Sequence, residues 1–177
     1  MALTPLSEAL ERILATAKDK PDWELVALEA LPSRYCAETI SATLSVPPAD
    51  NSAMDGYAVA SQDVPGTLTV SQRVPAGLAP LPLEAGTAAR IFTGAEIPEG
   101  ADAVILQEDA VAVEGQITLP AAQPGQHIRR LGSDIQPGDQ LVGAGHRLTP
   151  QDIGLLASVG LDAVPVFRPL RHEGTSW

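Results

Sequence analysis

The sequence predicts an α+β fold, mostly β, in which a β-rich segment is inserted into a smaller α+β domain. Three observations carry this. Sustained helical spacing of apolar residues is confined to the two ends, at 4–17 and from 150 onward. Between them apolar and polar residues alternate in short runs, the period of a half-buried strand. Sixteen prolines and fifteen glycines punctuate the chain, and their clustering in the middle excludes long helices there.

At the start, Thr4 is a candidate cap and Pro5 suits a first helical position. Leu6, Leu10, Ile13, Leu14 and Ala17 then form one apolar stripe, with Glu8, Glu11, Arg12 and Lys18 off it, so the stripe is read as a docking face. A strand is expected at 23–28, a short helix at 31–38 through Leu31, Tyr35 and Ala37, and a strand at 39–46, where Ile40, Ala42, Leu44 and Val46 alternate with Thr39, Ser41, Thr43 and Ser45. Pro47 and Pro48 end it. Residues 50–59 begin as a loop and end as a strand. Further short strands are expected at 67–74, 88–92, 103–107, 110–113 and 116–119, the last two joined by a Glu114-Gly115 turn. Such a series suggests a small β-barrel or a folded sheet. Thr149-Pro150-Gln151-Asp152 has the pattern of a capping box, Gly160 a helix stop, and 161–167 a last strand that Pro165 places at an edge.

The expected division is an outer α+β domain from 1–46 and 146–171, an inserted β-domain at 47–145, and a tail at 172–177. The outer parts hold both helices and the inner part most strands.

Composition narrows the function. With 45% apolar and only 19% charged residues the chain has the means to bury a core. Eleven Lys and Arg against 22 Asp and Glu leave a net charge of −11, a field that repels nucleic acid and anionic lipid. One local reversal stands out, Arg129-Arg130 preceded by His127. The single cysteine, Cys36, excludes an intrachain disulfide and a Cys-rich metal site. No apolar run approaches the roughly 20 residues that span a bilayer, and the start lacks a basic-then-apolar leader. The expectation is a cytoplasmic protein with neither nucleic-acid nor membrane partners.

Three segments look too polar for scaffolding alone. Asp50-Asn51-Ser52-Ala53-Met54-Asp55-Gly56-Tyr57-Ala58-Val59 packs two carboxylates, an amide, a hydroxyl and a glycine into seven residues. Asn and Ser shape a loop through local backbone bonds, and Gly56 permits a positive φ or a close approach by a ligand. Asp55 is then a carboxylate on a stiff loop, suited to a hydrated cation or to base chemistry, or else part of an Asx-turn. In Arg90-Ile91-Phe92-Thr93-Gly94-Ala95 a strand runs into Thr93-Gly94, where amides and a hydroxyl could face an anion. Arg90 falls on the opposite face, suited equally to a structural ion pair or to substrate. In the third segment, 125–134, Arg129 and Arg130 suit oxyanion recognition, and Asp134 is placed to hold an arginine or a metal. His127 has no second histidine at ligand spacing and reads as a surface or packing residue.

Together these segments resemble, in order and spacing, the signatures of the MoeA family of molybdopterin molybdenumtransferases, to which the gephyrin E-domain is similar, over residues 4–171. The resemblance implies an elongated MoeA N-terminal-like α+β domain with an inserted small β-barrel-like domain. It implies molybdate and adenylylated molybdopterin as substrates, AMP as a product, magnesium as the cation and a homodimer, and it admits the upstream molybdopterin adenylyltransferase as a partner. By position it carries catalytic roles to Asp55, Thr93 and Asp134, substrate contacts to Asn51, Ser52, Gly94 and Arg129, and metal ligation to Asp55 and Asp134. The family continues past 171 into a pterin-binding α/β domain and a C-terminal β domain. This sequence instead reads His172-Glu173-Gly174-Thr175-Ser176-Trp177, so a chain inactive by itself, or a scaffold or dimerisation module, is the alternative expectation. Ala49, Leu131 and Ser133 depart from the family pattern, which has Phe, a basic residue and Glu there.

Overall fold

The computed structural model describes residues 4–16 and 21–170. The expected helical positions Ala17 and Lys18, and the tail at 172–177, lie outside the described residues.

The contacts divide the chain into an outer unit, residues 1–41 with 140–177, and an inner unit, residues 42–139. The joins fall a few residues earlier than the prolines at 47–48 and the glycines at 143–145 suggest. The reason is backbone pairing. The Ala42 amide donates to the Asp139 carbonyl and the Gly138 amide to the Ala42 carbonyl (2.8 Å each), while Val46 bridges Ile135, so residues 42–46 are tied into the inner unit.

In the outer unit, α1 (Leu6–Thr16) buries none of its side chains, and Leu6, Leu10, Ile13 and Leu14 are all exposed. Strand β1 (Trp23–Ala27) pairs antiparallel with β12 (Ala163–Phe167), and β2 (Ile40–Ser41) with β11 (Gln140–Val142). Helix α2 (Pro150–Ser158) is placed by the expected capping box. The Asp152 amide reaches Thr149 Oγ1, and the Thr149 amide and hydroxyl donate to Asp152 Oδ2 at 2.8 and 2.6 Å. Leu31, Cys36, Leu148, Leu156, Val164 and Val166 close the core between these pieces.

The same carboxylate gives a pH signature. The Thr149 hydroxyl first, then His146 and the Thr149 amide, push the Asp152 carboxyl down to about 2. A depressed folded-state value stabilises the fold above the ordinary unfolded value of about 4, and that contribution is lost as pH falls through about 2. Thr149→Ala is expected to cost about 1 kcal/mol at neutral pH, the usual worth of such a cap. In urea unfolding its deficit shrinks below about pH 4; a deficit that stays constant down to about pH 2 would contradict this origin.

Two expected elements differ. Residues 31–38 are not helical. Ser33 sits at φ 68° and Tyr35 and Cys36 bridge Arg147 and Val166, so their amides and carbonyls serve neighbouring strands. The strand at 39–46 shrinks to β2. Its pairing with β11 is already irregular, and beyond Ser41 the backbone turns to the Asp139 and Ile135 carbonyls, leaving Leu44 54% exposed where alternation placed it inside.

The inner unit is built on β3 (Asn51–Ser52), β4 (Gly56–Val59), β5 (Gly66–Val74), β6 (Thr87–Ile91), β7 (Ala103–Leu106), β8 (Val111–Val113), β9 (Gln116–Leu119) and β10 (Ile128–Arg129). Six of these form one curled sheet in the order β7-β4-β6-β5-β9-β8, with β5 and β6 parallel and the other pairs antiparallel. β7 and β8 end that order without pairing to each other, so the sheet is an open half-barrel. Glu114 and Gly115 both have positive φ, as the tight β8–β9 hairpin needs. Side chains alternate between two cores. Val59, Ala88 and Ile105 pack in one, while Ala58, Ala89, Ile91 and Val104 pack in the other with Ala95 and Ile128. Strands β4, β6 and β7 are thus buried on both faces, which explains their dense apolar runs. The second core lies beneath the polar segments.

Candidate functional site

The three polar segments meet around the two-residue strand β3. On one side Asn51 and Ser52 pair with Arg129 and Ile128 of β10. On the other, the Ser52 amide donates to the Ala95 carbonyl and the Gly94 amide to the Ser52 carbonyl, both at 2.8 Å, while Asn51 bridges Glu96. Gly94 has φ 81°, the turn that brings the segment back against β3. Positions some eighty residues apart in sequence therefore share one small patch of backbone.

Asp55 sits just after this strand, half-buried. Its Oδ1 accepts from the Thr93 amide at 2.8 Å and from the Thr93 hydroxyl at 2.7 Å. The amide first, then the hydroxyl, with a further contribution from the Arg90 charge, hold this carboxyl below its ordinary value. Its Oδ2 carries no hydrogen bond among the described residues. The Thr93 donors are spent: amide and hydroxyl both point at Asp55, and the next two amides serve Ser52 and Phe92 carbonyls. The strand-to-turn segment is thus no ready cradle for an anion. Toward a ligand, the Thr93 oxygen in this arrangement can only accept.

Arg90 forms no ion pair among the described residues and holds backbone instead. Its Nη1 donates to the Gly56 carbonyl (2.8 Å) and the Ile91 carbonyl (2.7 Å), and its Nη2 to Gln107 Oε1 (2.5 Å). The guanidinium also lies over the Phe92 and Tyr57 rings, 4.3 and 5.4 Å from their centroids. Gly56 does not use a positive φ. A Cβ there would sit 2.0 Å from the Ile105 carbonyl oxygen, so the close neighbour is strand β7 and not a ligand.

The basic pair is matched by acids. Arg129 pairs with Asp134 Oδ2, and Arg130 with Asp50 Oδ2. The Leu131 amide, followed by Arg130, keeps the Asp50 carboxyl below its ordinary value. The Asp50–Arg130 pair had no sequence signal beyond opposite charges eighty positions apart. Ser52 is buried and its hydroxyl donates to the Met54 carbonyl at 2.6 Å, so it shapes the loop and offers nothing outward. The His127 ring meets the Val104 carbonyl at 3.0 Å, in keeping with a packing role. Asn51 and Gly94, with Pro48, Leu78 and Glu96, line a surface depression of about 320 Å³. Asp55 and Asp134 do not line it. A more apolar depression of about 440 Å³ belongs to the outer unit and contains none of the motif residues.

Asp55 and Asp134 are engaged differently: Asp55 keeps one carboxylate oxygen without a hydrogen bond among the described residues, and Asp134 is paired. Among the described residues no three His, Cys, Asp or Glu side chains come together to hold an ion, and Asp134 is spent on Arg129 and on the Ser133 hydroxyl.

Residues 4–160 match the family model described as the MoeA N-terminal region, domains I and II. The chain is 40% identical over 172 residues to the molybdopterin molybdenumtransferase of Haemophilus influenzae, covering 94% of this chain and 42% of that protein. It is 40% identical to the one of Synechococcus elongatus, covering 93% and 43%. The fold is similar to a solved structure of the molybdopterin biosynthesis MoeA protein of Pyrococcus horikoshii, at a TM-score of 0.85 and 40% identity over 94% of this chain and 45% of that one. The chain therefore spans less than half the length of the relatives it matches.

Proposed function

Because the chain belongs to the MoeA N-terminal family, we propose that it supplies the carboxylate-bearing wall of a molybdopterin molybdenumtransferase site, where molybdate and adenylylated molybdopterin react and AMP is released. The observation that carries this is the convergence on β3. Asp55, Thr93, Gly94, Asn51, Ser52, Arg129 and Asp134 are linked in one chain of hydrogen bonds and strand pairing.

Within that wall Asp55 is the acting group. A carboxyl held below its ordinary value is a weak proton acceptor and a persistent negative charge, which favours an electrostatic role over general-base chemistry. Thr93 holds it, and Asp134 holds Arg129. Asn51 and the backbone of Gly94 face the depression and are the substrate contacts of this wall. Magnesium is the cation of this reading: Asp55, whose Oδ2 carries no hydrogen bond among the described residues, would meet it from this wall, with water and substrate oxygens supplying its other ligands. A homodimer, a cytoplasmic location and exchange with the upstream adenylyltransferase complete the reading.

Turnover needs the length that this chain does not cover. Given adenylylated molybdopterin and molybdate, the 177-residue chain is expected to release no AMP. Joined to the remaining length of a relative, it is expected to insert molybdenum. AMP release by the chain alone would refute the division of labour. An inert joined protein that folds and dimerises would sink the functional reading.

A further inference from the structure

The Asp55 loop is held by more than Thr93. The Gln107 amide donates to the Asp55 carbonyl at 3.1 Å. Gln107 Oε1 accepts from Arg90 Nη2, and Arg90 Nη1 donates to the carbonyl of Gly56, the next residue. These bonds close a ring that runs from Asp55 through Gln107 and Arg90 to Gly56 and back along the backbone. The same Nη1 grips the Ile91 carbonyl, two residues before Thr93. One nitrogen therefore bridges the two stretches of backbone that deliver the carboxylate and its donor. Arg90 has no carboxylate partner among the described residues, and the Tyr57 and Phe92 rings lie against it.

We propose that Arg90 and Gln107 are positioning residues: a guanidinium clamp, closed through Gln107, that sets the spacing between Asp55 and Thr93. The arrangement suits the task. Two carbonyls and an amide oxygen are met by a planar group with donors in a fixed fork, which a lysine cannot reproduce. A carbonyl left without its donor in this half-buried place loses a definite position. The clamp deepens the proposed role of Asp55, and its geometry stands independently of any reaction.

The test uses the 177-residue chain with no substrate. Amide hydrogen exchange is read at Thr93 and Gln107, whose amides both bond to Asp55, and the Asp55 carboxyl is titrated by carbon-detected NMR. In Arg90→Gln, exchange at both amides is expected to rise about tenfold or more, the effect of losing one or two net hydrogen bonds. The Asp55 carboxyl is expected to titrate at higher pH. Arg90→Lys keeps the charge and loses the fork, so it speeds exchange while retaining more of the acid shift. Amides of β5 and β9 serve as the folding reference and keep their protection. Gln107→Leu, which opens the ring without touching Arg90, speeds exchange at the same two sites. Wild-type protection of Thr93 and Gln107 in both Arg90 variants overturns the clamp, as does a loss spread equally over β5 and β9. Should the clamp pass while Asp55→Asn leaves molybdenum insertion intact in the joined protein, the functional reading alone fails.

Discussion

Gly56→Ala is expected to destabilise the inner unit by about 3 kcal/mol or more, at the upper end of what overpacking costs. The added Cβ would lie 2.0 Å from the Ile105 carbonyl oxygen and 2.9 Å from its carbon. Both are backbone atoms, so no rotamer change makes room. Strand β4 cannot retreat either, because it is paired to β7 on one edge and β6 on the other. Either pairing yields, and the Asp55 loop, which enters β4 at Gly56, moves with it. Urea unfolding of the chain reads the loss. Gly66→Ala is the control, since its Cβ would meet only the Asp63 carbonyl at 3.4 Å. Equal and small effects at both positions would contradict the argument.

The second large effect falls on activity and spares the fold. In a joined, full-length protein, Asp55→Asn is expected to lower molybdenum insertion about a hundredfold or more, on the scale of removing one preorganised electrostatic group. Asparagine Oδ1 can still accept from the Thr93 amide and hydroxyl, so unfolding midpoints should barely move. What is lost is the negative charge and the free Oδ2 acceptor, which becomes an NH2 donor. Since Thr93 holds the carboxyl below its ordinary value, the group stays ionised across the neutral range. Any rate loss it causes in the parent protein therefore lies on the acid side, below about pH 4. A pH–rate profile with a limb from this residue near neutrality, or an Asp55→Asn protein with undiminished rate, is the result that refutes the assignment.

Much of the fold was legible because local chemistry agreed with tertiary packing. Strands β5 and β9 follow simple alternation, Glu114-Gly115 has the residues that a tight hairpin demands, and Thr149 to Asp152 satisfy each other within one turn. Where tertiary bonds override local pattern, reading failed. Alternation through Leu44 is real, yet the backbone there is claimed by Asp139 and Ile135. Leu31 to Ala37 have a helical stripe, yet Ser33 turns left-handed and the next residues serve as bridges.

The residues that converge on β3 were legible one by one and not as a set of contacts. They carry the chemistry that polar loops advertise. Which donor meets which acceptor depends on register between segments far apart in sequence. Hence Arg90, set beside its cross-strand partner Tyr57, spends its guanidinium on backbone carbonyls, and alternation cannot relate it to Thr93, which lies past the end of β6. Thr93, read as a donor to an oxyanion, spends its proton on Asp55. Gly56 owes its identity to Ile105, which no local pattern near residue 56 reveals.

The way the inner unit leaves and returns also matters for folding. Its first and last residues, Ala42 and Asp139, are hydrogen-bonded to one another, and the adjoining Ser41 and Gln140 are strand partners. Closing a flexible loop costs entropy that grows with the logarithm of its length. Once the inserted stretch has folded, its ends are already side by side. The pairing of β1 with β12 then has to span only a short tether, and the long intervening polypeptide adds almost nothing to its cost.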